Sequence, residues 1–188
     1  WHQLNVQVNE RDGSGYNTVH AGKDMLMVAD PRYIAIDLKY GPDGAVYIND
    51  WYDTQHCHNP NTEQWERGTG RMYRIQYEAT YEPILVNLSR KSDRELAWLQ
   101  LHQNAWFART ARRLLQERSV KGEISSDALE VLRNMSVEHA NENRRLRALW
   151  SLCVIGAVQG NDWLTYLRDE SEYVRANAIE FMSSQEQV

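Results

Sequence analysis

"YIAIDLKYGPDGAVYIND", Tyr33 to Asp50, decides how the first part of the chain is read. Ile34, Ile36 and Leu38 alternate with polar residues, the two-residue period of a half-buried strand. Gly41-Pro42-Asp43-Gly44 then interrupts the pattern. Pro42 presets φ for the second position of a turn, and Gly44 takes positive φ without steric penalty. Strand character resumes at Ala45–Asp50, so Tyr33–Tyr40, the turn and Ala45–Asp50 predict a β-hairpin. Upstream, "LNVQV" alternates over Leu4, Val6 and Val8 and predicts a strand; downstream, "RMYRIQY" predicts another. Short strands joined by tight turns fit one blade of a β-propeller or part of a sandwich.

From about Pro83 the period changes. Ser92 and Glu95 form a capping-box signature ahead of "LAWLQL". Helical periodicity then predicts segments near Asp93–His102, Ala105–Val120, Asp127–Glu138, Glu142–Ala157, Asp162–Arg168 and Glu172–Ser183. Asn104, Ser126, Asn141, Asn161 and Ser171 stand where helix N-caps are wanted. "ARTARRLL", "LRALWSLC" and "VRANAIEF" align on Arg109, Arg147 and Arg175, near the period of HEAT-type helical pairs. A recurrent arginine in such arrays packs its stem and bonds its head to a helix end. The chain is therefore expected to divide into 1–82 and 83–188.

Composition narrows the function. The chain has 188 residues and a net charge of -5, which argues against nucleic acid as a partner. Basic residues cluster at Arg109, Arg112 and Arg113 and again at Arg144, Arg145 and Arg147, runs that on helices read as solvated faces. Two cysteines, Cys57 and Cys153, make no C-x-x-C pair and no disulfide framework. No apolar run approaches the roughly 20 residues of a membrane span. The chain begins at Trp1 and is read as a piece of a longer or processed protein.

Between the strands lies "WYDTQHCHNPNTEQWERGTG", Trp51 to Gly70. Stretches this long without periodicity are functional or disordered, and Trp51, Tyr52 and Trp65 argue against disorder. Three readings stay open. In the structural one, Asp50 and Asp53 cap turns, Arg67 and Arg71 pair with them, and Trp51 packs beneath the sheet. In the second, the loop faces a substrate or cofactor, with His58 or His56 as the hydrogen-bonding group. In the third, His56 and His58 with a carboxylate hold zinc or copper, or Asp43, Asp50 and Asp53 suit calcium. Candidate site residues are thus His58, His56, Asp50, Asp53, Arg67 and Trp51. Cys57 shows no sign of an oriented catalytic triad.

"PRYIAIDLKYGPDGAVYINDWYD", "HCHNPNTEQWERGTGRMYRI", "ARRLLQER" and "LRALWSL", in this order, resemble a bacterial family common in planctomycetes and verrucomicrobia: membrane-bound dehydrogenase-like proteins. These carry a glucose/sorbosone dehydrogenase-type β-propeller, then HEAT repeats, and often a C-terminal c-type cytochrome domain. The resemblance implies a multi-domain fold, an all-β propeller fragment (1–82) followed by all-α HEAT-like helical repeats (83–188). It implies an exported oxidoreductase, periplasmic or secreted, acting on a carbohydrate or alcohol. Pyrroloquinoline quinone would be the cofactor, and a cytochrome c domain or another protein would dock on the repeats. The chain lacks C-x-x-C-H and so has no haem c attachment of its own. No catalytic base carries over to any position here. The rival expectation is a non-catalytic scaffold that binds a protein or, through Trp51, Tyr52 and Trp65, a carbohydrate.

Overall fold

The computed structural model describes residues 2–55, 66 and 68–185. The chain forms two compact units, Trp1–Glu82 and Pro83–Val188.

The first unit holds β1 (Gln3–Leu4), β2 (Gln7–Asp12), β3 (Gly15–His20), β4 (Leu26–Met27), β5 (Ala35–Tyr40), β6 (Val46–Asp50) and β7 (Arg71–Ile75). All pairing is antiparallel: β1 with β4, β2 with β3, and a three-stranded meander β5-β6-β7. The Gly41–Gly44 turn closes the β5–β6 hairpin through Gly41 N donating to Ala45 O at 2.9 Å. Gly44 has φ +78°, the left-handed region that glycine enters freely. A Cβ on Gly41 would lie 2.7 Å from Asp43 Oδ1 and 2.8 Å from the Tyr47 ring, so side chains are excluded there. Asp43 locks the turn by accepting from Ala45 N and from the Tyr47 hydroxyl.

The core of this unit is small. Leu4, Tyr33 and Ile48 are buried, with Leu26, Val28, Ala35, Val46, Tyr73 and Ile75 packed against them. "LNVQV" does not form one half-buried strand: it splits between β1 and β2, and Val8 is exposed. On β5, Ile36 is 55% and Leu38 44% exposed, so the alternating row is present but uncovered. A register shift between Ala35 and Asp37 marks a bulge in the same strand.

The second unit holds α1 (Asp93–Trp98), α2 (Ala105–Ser119), α3 (Ser126–Glu138), α4 (Glu142–Val154), α5 (Asp162–Tyr166) and α6 (Glu172–Gln185). Single 3-10 turns, Leu88–Arg90 and Leu99–Leu101, precede and follow α1. The capping box is formed in full: Ser92 Oγ accepts from Glu95 N, and Glu95 accepts from Ser92 N. Asn104 and Asn141 cap α2 and α4 with their side chains, whereas Asn161 lies in helical conformation and makes no side-chain cap. At α3 the N-cap is Ser125, one residue before the expected Ser126.

Consecutive helices pack as pairs. α1 also packs on α3, α2 on α4, and α4 on α6. Leu96, Leu115, Leu132, Leu149, Leu152 and Val174 fill the seam, and Ala108, Ala111, Ala128, Ala148 and Ala178 are buried where helices approach. Arg145 is buried in this seam. It forks onto Asp169 through Nε (3.0 Å) and Nη2 (2.9 Å) and donates to His139 O at 2.8 Å. It thus ties the start of α4 to the end of α3 and to the α5–α6 connection. Of the recurrent arginines, Arg175 donates to Asp169 O and Glu170 O, and Arg147 to His102 O, the helix-end bonding expected of them.

The expected multi-domain architecture, an all-β propeller fragment followed by all-α HEAT-like repeats, is corrected by these observations. A propeller blade is a four-stranded sheet within a closed ring. Here the described strands form two two-stranded ribbons and one three-stranded open sheet, with no closure. The helical pairs are not copies of one repeat either, since α1 has 6 residues and α5 has 5 where α3 has 13. The chain is a mixed α and β protein with small antiparallel sheets.

Arg145→Ala would leave the Asp169 carboxylate without its fork and the His139 carbonyl without its donor. Losing one partner of a buried ion pair costs about 3–5 kcal/mol. Urea unfolding followed by far-UV circular dichroism checks this; a loss below about 1 kcal/mol would show that the pair does not hold the helices together.

Candidate functional site

The sequence points first to the turn after β6. Asp50, 1% exposed at the strand end, accepts through Oδ1 from Ile34 N (2.7 Å) and Tyr52 N (3.0 Å). Its Oδ2 is buried without a hydrogen-bond partner among the described residues. Asp53 is also buried. It accepts from Gln55 N at 3.0 Å through Oδ1, and from Glu66 N at 3.0 Å and the Trp51 indole at 3.2 Å through Oδ2. The bonds from the Gln55 and Glu66 amides hold its carboxyl below the usual carboxylate range.

Between them, Tyr52 has φ +50°, uncommon for a side chain of this size. Three contacts hold it there. Its hydroxyl donates to Asp30 Oδ2 (3.0 Å), the Arg71 guanidinium lies 3.5 Å from its ring centroid, and its carbonyl accepts from Thr69 Oγ1 (2.8 Å). Arg32 pairs with Glu66 across the same loop. Trp51 is 43% exposed, with its indole N–H tied to Asp53. His56, Cys57, His58, Trp65 and Arg67 lie outside the described residues.

Asp43 is engaged in the hairpin turn, and its carboxyl is held low chiefly by the Tyr47 hydroxyl. Among the described residues, no three His, Cys, Asp or Glu side chains are gathered as a metal would need. Burial pushes the Cys153 thiol up to about 12, away from the thiolate form that a nucleophile needs.

The second unit presents a different arrangement. A concavity of about 400 Å³ between α2 and α4 is lined by Arg109, Arg112, Arg144, Arg147 and Trp150, with Ala105, Ala108, Asn141 and Asn143 at its edges. None of these lining residues is acidic. Arg144 and Arg147 both donate to His102 O at 2.8 Å, so two guanidiniums converge on one carbonyl. The Arg112 guanidinium lies over the Trp150 ring, 5.0 Å from its centroid. Burial, and then the neighbouring charges of Arg147 and Arg109, pull Arg112 below its ordinary value. Trp150 is oriented from behind by its indole N–H donating to Asn177 Oδ1 at 2.8 Å.

This groove is built from residues the sequence reading assigned to solvated faces. The two arginine runs divide in the fold. Arg113 points away to Glu117 at 3.0 Å, and Arg145 turns inward to Asp169. The other four share the groove. The signal was spacing: Arg109 and Arg112 are i,i+3 on α2, and Arg144, Arg147 and Trp150 repeat the same step on α4. A groove with converging donors and an apolar floor can hold an anion by charge-assisted, forked hydrogen bonds. No helix among the described residues is long and apolar enough to cross a membrane. No family model, curated protein or solved structure matches this chain.

Asp50→Ala should destabilise the first unit by about 2–4 kcal/mol, because two backbone amides lose their acceptor together. Native-state hydrogen exchange should show faster amides at Ile34 and Tyr52. Unchanged exchange at both would mean the carboxylate does not hold this turn.

Proposed function

We propose that this chain is a docking module, non-catalytic in itself, whose second unit binds an anionic partner in the groove between α2 and α4. The observation that carries this is the gathering of Arg109, Arg112, Arg144 and Arg147 around one concavity lined by no carboxylate, on a chain of net charge -5. Asp50 and Asp53, by contrast, are engaged with backbone amides, as structural groups are. A carbohydrate surface at Trp51 and Tyr52 is less favoured, since Arg71 covers one face of the Tyr52 ring.

The sugar or alcohol dehydrogenase expectation draws on the sequence resemblance, whose central element is a propeller that this fold does not contain. Were the chain to belong to such an oxidoreductase, it would supply a docking surface rather than the reacting groups.

Chromatography on a sulfonate resin near neutral pH tests the proposal. A chain of this net charge should flow through unless a local positive site holds it. Retention is the expected result, abolished in the Arg109→Gln/Arg112→Met double variant and kept in Arg113→Gln, which removes one charge outside the groove. Flow-through of the unaltered protein, or equal loss in both variants, would contradict it.

A further inference from the structure

We infer that a second groove, between α1 and α3, seats a basic, apolar-anchored segment of a partner protein. The segment is a short helix whose large apolar side chains point inward and whose lysines or arginines lie along the rim. This goes beyond the docking reading above, and the groove shares no lining residue with the one between α2 and α4.

The floor is apolar. Trp98 and Leu101 come from α1 and the 3-10 turn after it, and Val131 and Met135 from α3. Trp98 is half-exposed, a large ring left open to solvent beside the buried Met135. Open apolar surface rimmed by polar groups marks a binding face, and a thioether adapts to the shape that covers it. At about 380 Å³ the concavity takes the side chains of one short segment rather than a folded surface.

The rim selects the charge. Asp127, Glu130 and Glu138 line the α3 side against the single guanidinium of Arg94, which stands 4.0 Å from Asp127. Glu130 and Glu138 are exposed, and no ion pair holds either of them among the described residues. An uncharged partner would strip water from these carboxylates and return nothing. An anionic partner would be repelled. Lysine or arginine lays its stem on the apolar floor and reaches the rim with its head. Asp127 to Glu138 spans roughly 17 Å of helix axis at 1.5 Å per residue, the length of a three-turn helix.

The groove is also preformed. Asp93 accepts from Ser125 N at 3.1 Å and from Arg118 Nη1 at 2.6 Å, which ties the start of α1 to the start of α3. The far end of α3 is held by Arg145 Nη1 donating to His139 O at 2.8 Å. Walls fixed in this way lose little freedom when a partner arrives.

Fluorescence anisotropy with the whole chain tests the inference, using three labelled helical peptides about fourteen residues long. One carries Leu at i, i+3, i+4 and i+7 spacing and Lys elsewhere. A second replaces Leu by Ala, and a third replaces Lys by Glu. The Lys/Leu peptide should bind tighter than either by about tenfold or more, and salt should weaken it. Trp98→Ala and, separately, Glu130→Lys should each weaken it by about tenfold. Glu180→Lys, which reverses a charge on the exposed side of α6, should leave it unchanged. Because Glu130 is exposed, Glu130→Lys keeps the helical circular dichroism and reads the site even if Trp98→Ala unfolds.

Equal binding of the Lys/Ala peptide would reduce the attraction to net charge and overturn the anchored groove. Binding that neither groove variant weakens, or that Glu180→Lys weakens as much, would overturn the site. Tighter binding of the Glu/Leu peptide, or binding of none of the three, would overturn the basic segment. Sedimentation velocity without peptide covers the remaining occupant: a dimer that Trp98→Ala dissociates would assign the groove to a second copy of this chain instead. The sulfonate resin reads the α2–α4 groove alone, so the two readings fail separately.

Discussion

The carbonyl of His102 accepts from Arg144 and from Arg147, each at 2.8 Å, and the α2–α4 groove depends on that shared acceptor. The carbonyl follows the 3-10 turn Leu99–Leu101, where helix-end acceptors lack a partner within the helix. Two guanidiniums on successive steps of α4 supply the donors, and each is thereby fixed against the groove. A single oxygen does not neutralise two full positive charges. Arg109 and Arg112 from α2 add to the same field, and Arg112 is held low by burial and by its neighbours. The helical unit thus satisfies backbone acceptors with guanidiniums that also line the groove.

Elsewhere in that unit arginine is handled differently, and the contrast is informative. Arg145 is buried against Asp169 and the His139 carbonyl, and Arg118 bonds Asp93 together with the carbonyls of Ser89 and Lys91. Those two meet carboxylates and read as structural ties. In the first unit carboxylates do the corresponding work. Asp50 and Asp53 gather backbone amides at the end of β6, and Tyr52 is held at positive φ between them by Asp30, Arg71 and Thr69. A strained position secured on several sides belongs to a turn that is rigid in its own right.

Local chemistry was legible in the sequence; closure was not. The Gly41–Gly44 turn, the Ser92/Glu95 capping box and the Asn104 and Asn141 caps depend on neighbouring residues, and each appears in the structure. Helix positions followed from apolar spacing for the same reason. The propeller expectation failed because closing a ring is a long-range property: alternation on Ile36 and Leu38 specifies a strand, but it does not specify a neighbour to cover it. Asp50 and Asp53 could be singled out as strand-end carboxylates, whereas the amides they collect, from Ile34 to Glu66, come from distant segments. The arginine groove was half visible. The i,i+3 steps are in the sequence, but a solvated face shows the same steps, and only the packing of α2 on α4 brings the two rows together.

The central claim is that the groove gathers guanidiniums as an anion-binding site does, at a cost that falls on the partly buried Arg112 beside Arg147 and Arg109. Melting temperature of the Arg112→Met variant, followed across ionic strength, tests it most directly. Methionine keeps an unbranched apolar stem beside Trp150 and removes the charge. The account predicts a higher melting temperature than the unaltered chain at low salt, with the difference shrinking as salt screens Arg109 and Arg147. A lower melting temperature at every salt concentration would show that Arg112 is a stabilising structural residue and would contradict the account.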